Sequence, residues 1–215
     1  MTTQAIRDTI KIAKLHERQH SHLATLFNQR VLDNMPIAMQ LSDDNSATNL
    51  VDFIISYIDH VPDVIDAVRS LTANNTIQNY IEPVLSLAES YFLKPQELNA
   101  DHPGLVGLMD EAYLAHRLIE EINDRFMVKT ATPLIPVDMT MSNIIVHSLI
   151  GEPFANELDE AVGYTLEKVI MQEHLFSGDE LSAYLSQRSD IEWDREQHWP
   201  QLSDQFIMSL QSMRV

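Results

Sequence analysis

The chain has 215 residues, a formal net charge of -18, five glycines that form no glycine-rich loop, and no cysteine. This composition excludes disulfides, thiolate metal sites and cysteine nucleophiles, and it excludes a phosphate-binding glycine loop. A chain this acidic repels nucleic acids, and no apolar run is long enough to span a bilayer. Because the N-terminal stretch lacks the apolar region of a signal peptide, we expect a soluble cytoplasmic protein.

Helical periodicity of apolar residues runs through the chain, whereas strand-like alternation is limited to the short segment ATPLIPVDM. Several prolines and the Ser-Gly-Asp turn at 177–179 fall at or near the ends of the periodic stretches. The pattern predicts an all-α bundle of eight or nine helices in a single domain, 1–215, with an irregular connection over 186–203 before a last docking helix. The predicted helices cover about 4–32, 47–59, 62–73, 76–93, 104–127, 138–150, 153–175, 179–187 and 203–213.

The first predicted helix carries the sequence His16-Glu17-Arg18-Gln19-His20, which matches the H-E-x-x-H pattern of zinc proteases. Two histidines four residues apart on a helix point the same way and can share a zinc ion, with the glutamate as a base. A projection at 100° per residue places His16, Glu17 and His20 inside an apolar arc. The other members of this arc are Ile6, Ile10, Ile12, Ala13, Leu23, Ala24, Phe27 and Val31.

The context of this motif differs from that in the proteases, because polar and charged residues flank it and no third-ligand pattern follows downstream. Three further interpretations remain open. One is a metal site of another kind. The second is a ferritin-like di-iron site, although Glu17-x-x-His20 is the single convincing E-x-x-H pair. The third is a pair of histidines at the edge of the core that are hydrogen-bonded to acidic residues of neighbouring helices.

The opposite face of the first predicted helix is basic and contains Arg7, Lys11, Lys14, Arg18 and His22. Residues 1–31 carry five basic and two acidic residues, a net charge of +3, whereas the remainder carries 9 basic and 30 acidic residues, a net charge of -21. The basic face is therefore expected to dock on the acidic remainder or to be solvated. The alternative is contact with an acidic membrane surface or protein partner.

The central predicted helix, 104–127, has a continuous apolar stripe with Glu111 at one edge and His116 at the other. The projection predicts that Asp110, Arg117, Glu121 and Asp124 face solvent. The adjacent carboxylates of Asp110 and Glu111 either favour the positive end of the helix or supply oxygen ligands to a hard cation. The stripe itself consists of Leu105, Leu108, Ala112, Ala115, Ile119, Ile122 and Phe126.

The segment that leads into this helix contains Tyr91-Phe92-Leu93, then Pro95, an acidic stretch at 97–101, and Gly107 followed by Asp110-Glu111. This order resembles the core of the YkvA-like family of uncharacterised helical proteins. That family has an aromatic residue and leucine, a proline, Asp-x-Ile-Pro-Asp, and Gly-x-x-Asp-Asp before an apolar helix. Here the Ile-Pro-Asp triplet is missing and the second acid is Glu. The resemblance covers 91–124 and implies a small helical domain with no assigned activity.

Two functions follow from these observations. The first is a non-enzymatic interaction or regulatory module, which acts as a homo-oligomer or with a protein partner; the ten methionines and long apolar stripes suit a buried interface. The alternative is a metal-binding helical protein, with zinc or iron, in which inward side chains converge from two helices. Neither a catalytic residue nor a cofactor is assigned, and no G-x-S-x-G pattern indicates a serine hydrolase. The candidate metal ligands are His16, Glu17, His20, Glu111 and His116.

Overall fold

The computed structural model describes residues 3–32, 46–73, 75, 77–93, 104–171 and 178–188. Within these ranges the chain forms eight helices and no strand, which confirms the predicted all-α bundle. None of the helices in these ranges is both long and apolar enough to cross a membrane. The helices are α1 (Gln4–His20), α2 (His22–Leu32), α3 (Ser46–Thr72), α4 (Gln78–Leu93), α5 (Leu105–Thr130), α6 (Thr140–Ile150), α7 (Phe154–Met171) and α8 (Gly178–Arg188).

The central helix of the bundle is α5, which packs against α1, α2, α3, α4, α6 and α7. Every residue from 105 to 116 is buried except Gly107. A helix that neighbours enclose on all sides buries its whole circumference rather than one stripe. The predicted apolar stripe is buried, as expected. The prediction that Asp110 faces solvent is wrong, since this residue is only 2% exposed.

The predicted helix over 4–32 is two helices, because the chain breaks at Ser21. Ser21 adopts a left-handed conformation with φ of 52°, and its N–H donates to the carbonyl of Glu17. A left-handed residue after the last turn ends a helix and redirects the chain. The projection of one straight helix therefore does not give the relative directions of residues before and after Ser21, although Leu23 and Phe27 of the predicted apolar arc are buried as expected. It is also wrong for Ile12, which is 68% exposed because it lies off the face that buries Ile6, Ile10 and Ala13.

The predicted break between 47–59 and 62–73 does not occur, and both segments belong to α3, which continues through Pro62. A proline inside a helix removes one hydrogen bond and crowds the preceding turn, which costs about 3 kcal/mol. Ile58, Val61 and Ile65 are fully buried around this position. Since burial of one such aliphatic side chain contributes about 1.5–3 kcal/mol, the core contacts offset the penalty.

The other predicted helices agree with the structure to within a few residues. The helix predicted at 104–127 ends three residues later, at Thr130, and the segment ATPLIPVDM connects α5 to α6 without forming a strand. Residues 186–188 belong to α8 rather than to an irregular connection. The predicted helix at 203–213 and the remainder of that connection lie outside the described residues.

Ion pairs attach α1 to α3. Arg7 contacts Asp63 at 2.6 Å and Asp66 at 2.9 Å, and Lys14 pairs with Asp59. Each exposed pair contributes only about 0–1 kcal/mol, and all three join α1 to α3 beside the buried face that contains Ile6 and Ile10. Two of the basic side chains of α1 therefore dock on an acidic helix of the same chain, as the charge distribution predicts.

Candidate metal centre

Three histidine side chains meet where α1 ends and α2 begins. The ring centroids are 4.2 Å apart for His16 and His20, 5.3 Å for His16 and His22, and 5.5 Å for His20 and His22. Each ring has one nitrogen that could bind a metal, and these three nitrogens all lie within 4.8 Å of one another. Zinc bound tetrahedrally at Zn–N distances of about 2.0–2.1 Å needs nitrogens about 3.4 Å apart. The rings are stacked at interplanar angles of 24°, 8° and 30°, so binding one ion requires the side chains to rotate as well as to move closer, until the three lone pairs point at the metal.

The break at Ser21 creates this cluster. In a continuous helix, His22 would lie about 200° around the axis from His20 and would point to the opposite face. The left-handed Ser21 turns α2 so that its first residue approaches the last turn of α1. The sequence pattern thus singled out two of the three histidines and missed the third. The only available signal was the local density of histidine in the stretch HERQHSH.

His20 is oriented by its own helix. Its Nδ1 lies 3.0 Å from the carbonyl oxygen of His16. Because a carbonyl only accepts hydrogen bonds, Nδ1 carries the proton and Nε2 presents a lone pair. Histidine ligands of metals commonly donate their other ring N–H to a carbonyl in this way, which sets the tautomer and the ring orientation. His20 therefore has the arrangement of a ligand, although the side chain is exposed rather than inward as predicted.

His16 rests against Gly104, the residue that precedes α5. Gly104 has φ of 69°, and a Cβ added to it would lie 2.9 Å from Nδ1 of His16. Both the positive φ and the close approach of the ring require glycine at this position. Nδ1 of His16 is buried and has no hydrogen-bond partner within the described ranges. A buried polar atom without a partner is uncommon, and this nitrogen is the ring atom that packs against Gly104.

Glu17 does not join the three histidines. Its carboxylate accepts hydrogen bonds from the N–H of Leu23 at 2.9 and 3.1 Å and from the N–H of Ala24 at 3.3 Å. These amides belong to the first turn of α2 and have no partner within the helix. Glu17 is 7% exposed and caps the positive end of α2. The glutamate of the H-E-x-x-H pattern thus has a capping role in place of the base that a zinc protease needs.

His116 is a satisfied core residue of α5. It is fully buried, its Nε2 donates to the carbonyl of Tyr57 at 2.9 Å, and its Nδ1 lies 3.1 Å from the sulfur of Met139. Burial lowers the pKa of His116 to about 4, and the hydrogen bond to the Tyr57 carbonyl only partly opposes this change. The imidazole is therefore neutral at physiological pH, and both of its nitrogens are occupied by protein atoms.

Glu111 is also buried, at 2% exposure, and its Oε2 has no hydrogen-bond partner within the described residues. Burial raises the pKa of Glu111 to about 8, and the neighbouring carboxylate of Asp110 acts in the same direction. Among the described residues, only the three histidines at the junction of α1 and α2 form a group that could hold a metal ion. The structure therefore does not bring Glu111 and His116 to the site predicted from the sequence.

No protein-family model matches this chain, and no curated protein or solved structure matches it. The resemblance of 91–124 to the YkvA-like family stays a prediction. Residues 91–93 form the end of α4, and Gly107, Asp110 and Glu111 lie on α5. The acidic stretch at 97–101, which departs from the family pattern, lies outside the described residues.

Proposed function

We propose that this protein binds a transition-metal ion through His16, His20 and His22. The observation that supports this function is the proximity of three imidazole nitrogens, which lie within 4.8 Å of one another. Imidazole suits zinc, copper, nickel and iron, whereas magnesium and calcium prefer oxygen ligands. Three protein ligands leave one position of a tetrahedral zinc ion for water or for a further ligand.

The role that fits this location is structural or regulatory. The ligands come from both sides of Ser21, so a bound ion stabilises one angle between α1 and α2 relative to others. Glu17 is bonded to amides of α2 and is not available as a general base. This arrangement favours a metal-dependent regulatory module over a hydrolase. The proposal joins the two functions that the sequence suggested.

Zinc binding to the full-length, untagged protein tests this function. Elemental mass spectrometry after zinc loading and desalting should find one ion per chain, and titration calorimetry should give the affinity. Substitution of His20 or His22 with alanine should weaken zinc binding by about 100-fold or more, because removal of even an outer-shell partner lowers metal affinity by about 10- to 100-fold. His20 is exposed, so its substitution leaves the core intact.

His60→Ala is the matched control. His60 lies on α3, its Nδ1 is 2.7 Å from the carbonyl of Ser56, and it does not belong to the histidine group. This variant should bind zinc as the wild type does. The proposal is wrong if the wild type binds no zinc, or if His60→Ala weakens binding as much as His20→Ala and His22→Ala. Circular dichroism of each variant verifies that the helices are retained.

A further inference from the structure

A second candidate site lies at a distance in sequence from the histidine cluster, between α5, α6 and α7. These helices line a solvent-accessible cleft of about 440 Å³. The volume is within the range of small-molecule sites, about 300–1,000 Å³. Its lining is unusual for a helix junction, because α5 contributes Tyr113, Arg117, Glu120 and Asp124, which repeat every three or four residues along one face. Charged and polar groups thus occupy a position where packed helices normally place apolar side chains.

Asp159 of α7 connects the three helices that line the cleft. One oxygen of Asp159 accepts hydrogen bonds from the hydroxyl of Tyr113 at 2.9 Å and from Nε of Arg117 at 3.0 Å. Its other oxygen lies 3.5 Å from Nε2 of His147 on α6. These contacts link all three helices, so the walls of the cleft are positioned before any ligand binds. A positioned site loses less conformational entropy on binding.

Glu120 of α5 also lines the cleft and is bonded to neighbouring side chains. Its Oε2 accepts hydrogen bonds from Arg117 and from Nδ2 of Asn143, the latter at 2.8 Å, and Asn143 in turn accepts from the hydroxyl of Tyr57 at 2.6 Å. The Glu120 side chain is only 10% exposed. Its second oxygen, Oε1, accepts no hydrogen bond from a residue that the structure describes. Glu120 Oε1 is not one of the fully buried atoms that lack a partner, so it remains accessible to a hydrogen-bond donor in the cleft.

The side chains that line the cleft carry a net negative charge, which favours a cationic ligand. Glu120, Asp124 and Asp159 supply three negative charges against the single positive charge of Arg117. The lining therefore carries a net charge of -2 when His147 is neutral. Partial burial raises the pKa of Asp124, and the nearby carboxylates of Glu120 and Glu121 raise it further. Such a cleft attracts cations and repels phosphates and carboxylates.

The acidic groups are spread along the cleft rather than gathered at one point. Asp159 is bonded to Arg117, whereas Glu120 and Asp124 lie four residues apart on α5, which is about 6 Å of helix. Ile144 of α6 lines the same cleft and is 54% exposed, so it offers an apolar contact to a ligand there. This layout matches a flexible aliphatic chain that carries more than one positive group. A single metal ion fits it less well, because Arg117 lies between Asp159 and Glu120.

We propose that the cleft between α5, α6 and α7 binds a small aliphatic polyamine with two or three ammonium groups. One ammonium group donates to Oε1 of Glu120, and another pairs with Asp124. The methylene chain lies along Ile144. The positive charges of a diamine balance the net charge of the cleft, and the ammonium donors satisfy the carboxylate oxygen that the protein leaves unpartnered.

Titration calorimetry with the full-length protein tests this proposal at about 0.15 M salt, where attraction to the acidic surface as a whole is screened. The probes are spermidine, 1,4-diaminobutane and 1-butylamine. The two polyamines should bind with one site per chain and more tightly than the monoamine, which has the same four-carbon chain as the diamine and a single ammonium group. Asp124→Asn should weaken spermidine binding by about 5- to 10-fold through loss of one charge-assisted contact.

Asp52→Asn is the matched control, because Asp52 is exposed on α3 and does not line the cleft. It removes the same charge and should leave spermidine affinity unchanged. Glu120→Gln keeps the shape of the buried side chain and should also weaken binding. The proposal is overturned if no amine binds, if butylamine binds as tightly as the diamine, or if Asp52→Asn and Asp124→Asn weaken binding equally. The last result would mean that amines respond only to the overall negative charge.

Discussion

The buried carboxyl group of Glu111 should make the stability of this protein depend on pH. Glu111 is 2% exposed on the enclosed helix α5, and its Oε2 has no hydrogen-bond partner within the described ranges. Burial raises the pKa of Glu111 from 4.5 to about 8, with a further contribution from Asp110. The folded state therefore keeps this proton to a higher pH than the unfolded state. The resulting stability is complete below about pH 4.5 and is lost as the pH rises to about 8.

The size of the effect follows from the two pKa values. Each pKa unit corresponds to about 1.4 kcal/mol, so the change from 4.5 to about 8 sets an upper limit of about 5 kcal/mol. This is a large fraction of the 5–15 kcal/mol that is typical of folded domains. Glu111→Gln keeps the shape of the protonated acid but cannot ionise. The variant should match the wild type near pH 4.5 and should be more stable, by up to about 5 kcal/mol, above pH 8.

Urea unfolding followed by far-ultraviolet circular dichroism measures this difference between about pH 5 and pH 9. When the free energies of unfolding of the two proteins are compared at each pH, the contributions of the titrating groups that they share cancel. One such group is His116, whose pKa of about 4 acts in the opposite direction by adding stability as the pH rises towards 6.5. Glu160→Gln, at an exposed position of α7, is the control and should give a difference that does not vary with pH. A constant difference between wild type and Glu111→Gln would refute the reasoning.

Three further substitutions test the metal centre and the core. Gly104→Ala places a Cβ 2.9 Å from a ligand ring and should weaken zinc binding about 10-fold by calorimetry, whereas Gly163→Ala, with no atom within 4 Å of the new Cβ, should not. Glu17→Gln should lower the free energy of unfolding by about 1 kcal/mol through a weaker cap, while one zinc ion still binds; loss of zinc would instead make it a ligand. Tyr57→Phe leaves Asn143 with an unpaired buried oxygen and should destabilise the protein by about 1–3 kcal/mol; unchanged stability would contradict this hydrogen bond.

Much of the secondary structure could be predicted because it depends on local pattern. Leu105, Leu108 and Ala112 repeat at helical spacing, and α5 buries all three. The uneven charge of the chain predicted that the basic face of the first helix docks on the acidic remainder or is solvated, and Arg7 pairs with Asp63 and Asp66 of α3. In both cases the side chains that interact belong to regular helices, for which spacing along the sequence determines direction in space.

The prediction failed where one residue or one neighbour changed the geometry. The projection of a straight helix placed His22 opposite His20, but the left-handed Ser21 brings the two rings to 5.5 Å. Serine at this position gives no strong signal, since left-handed residues are usually glycine or asparagine. Likewise, Asp124 and Arg117 were predicted only as solvent-facing residues. The packing of α6 and α7 against α5 makes them the lining of a cleft.

The sequence by itself determined that the chain is helical, which faces of its regular helices are apolar, and that two histidines of the HERQH stretch share one side of α1. Local propensity and periodicity are sufficient for these properties, because each depends on residues within a few turns. Only the tertiary structure decided that Glu17 caps α2, that His22 completes a group of three, and that polar side chains of three helices enclose a cleft. These features depend on how helices that are separate in sequence are turned and packed, and a pattern along one helix does not contain that information.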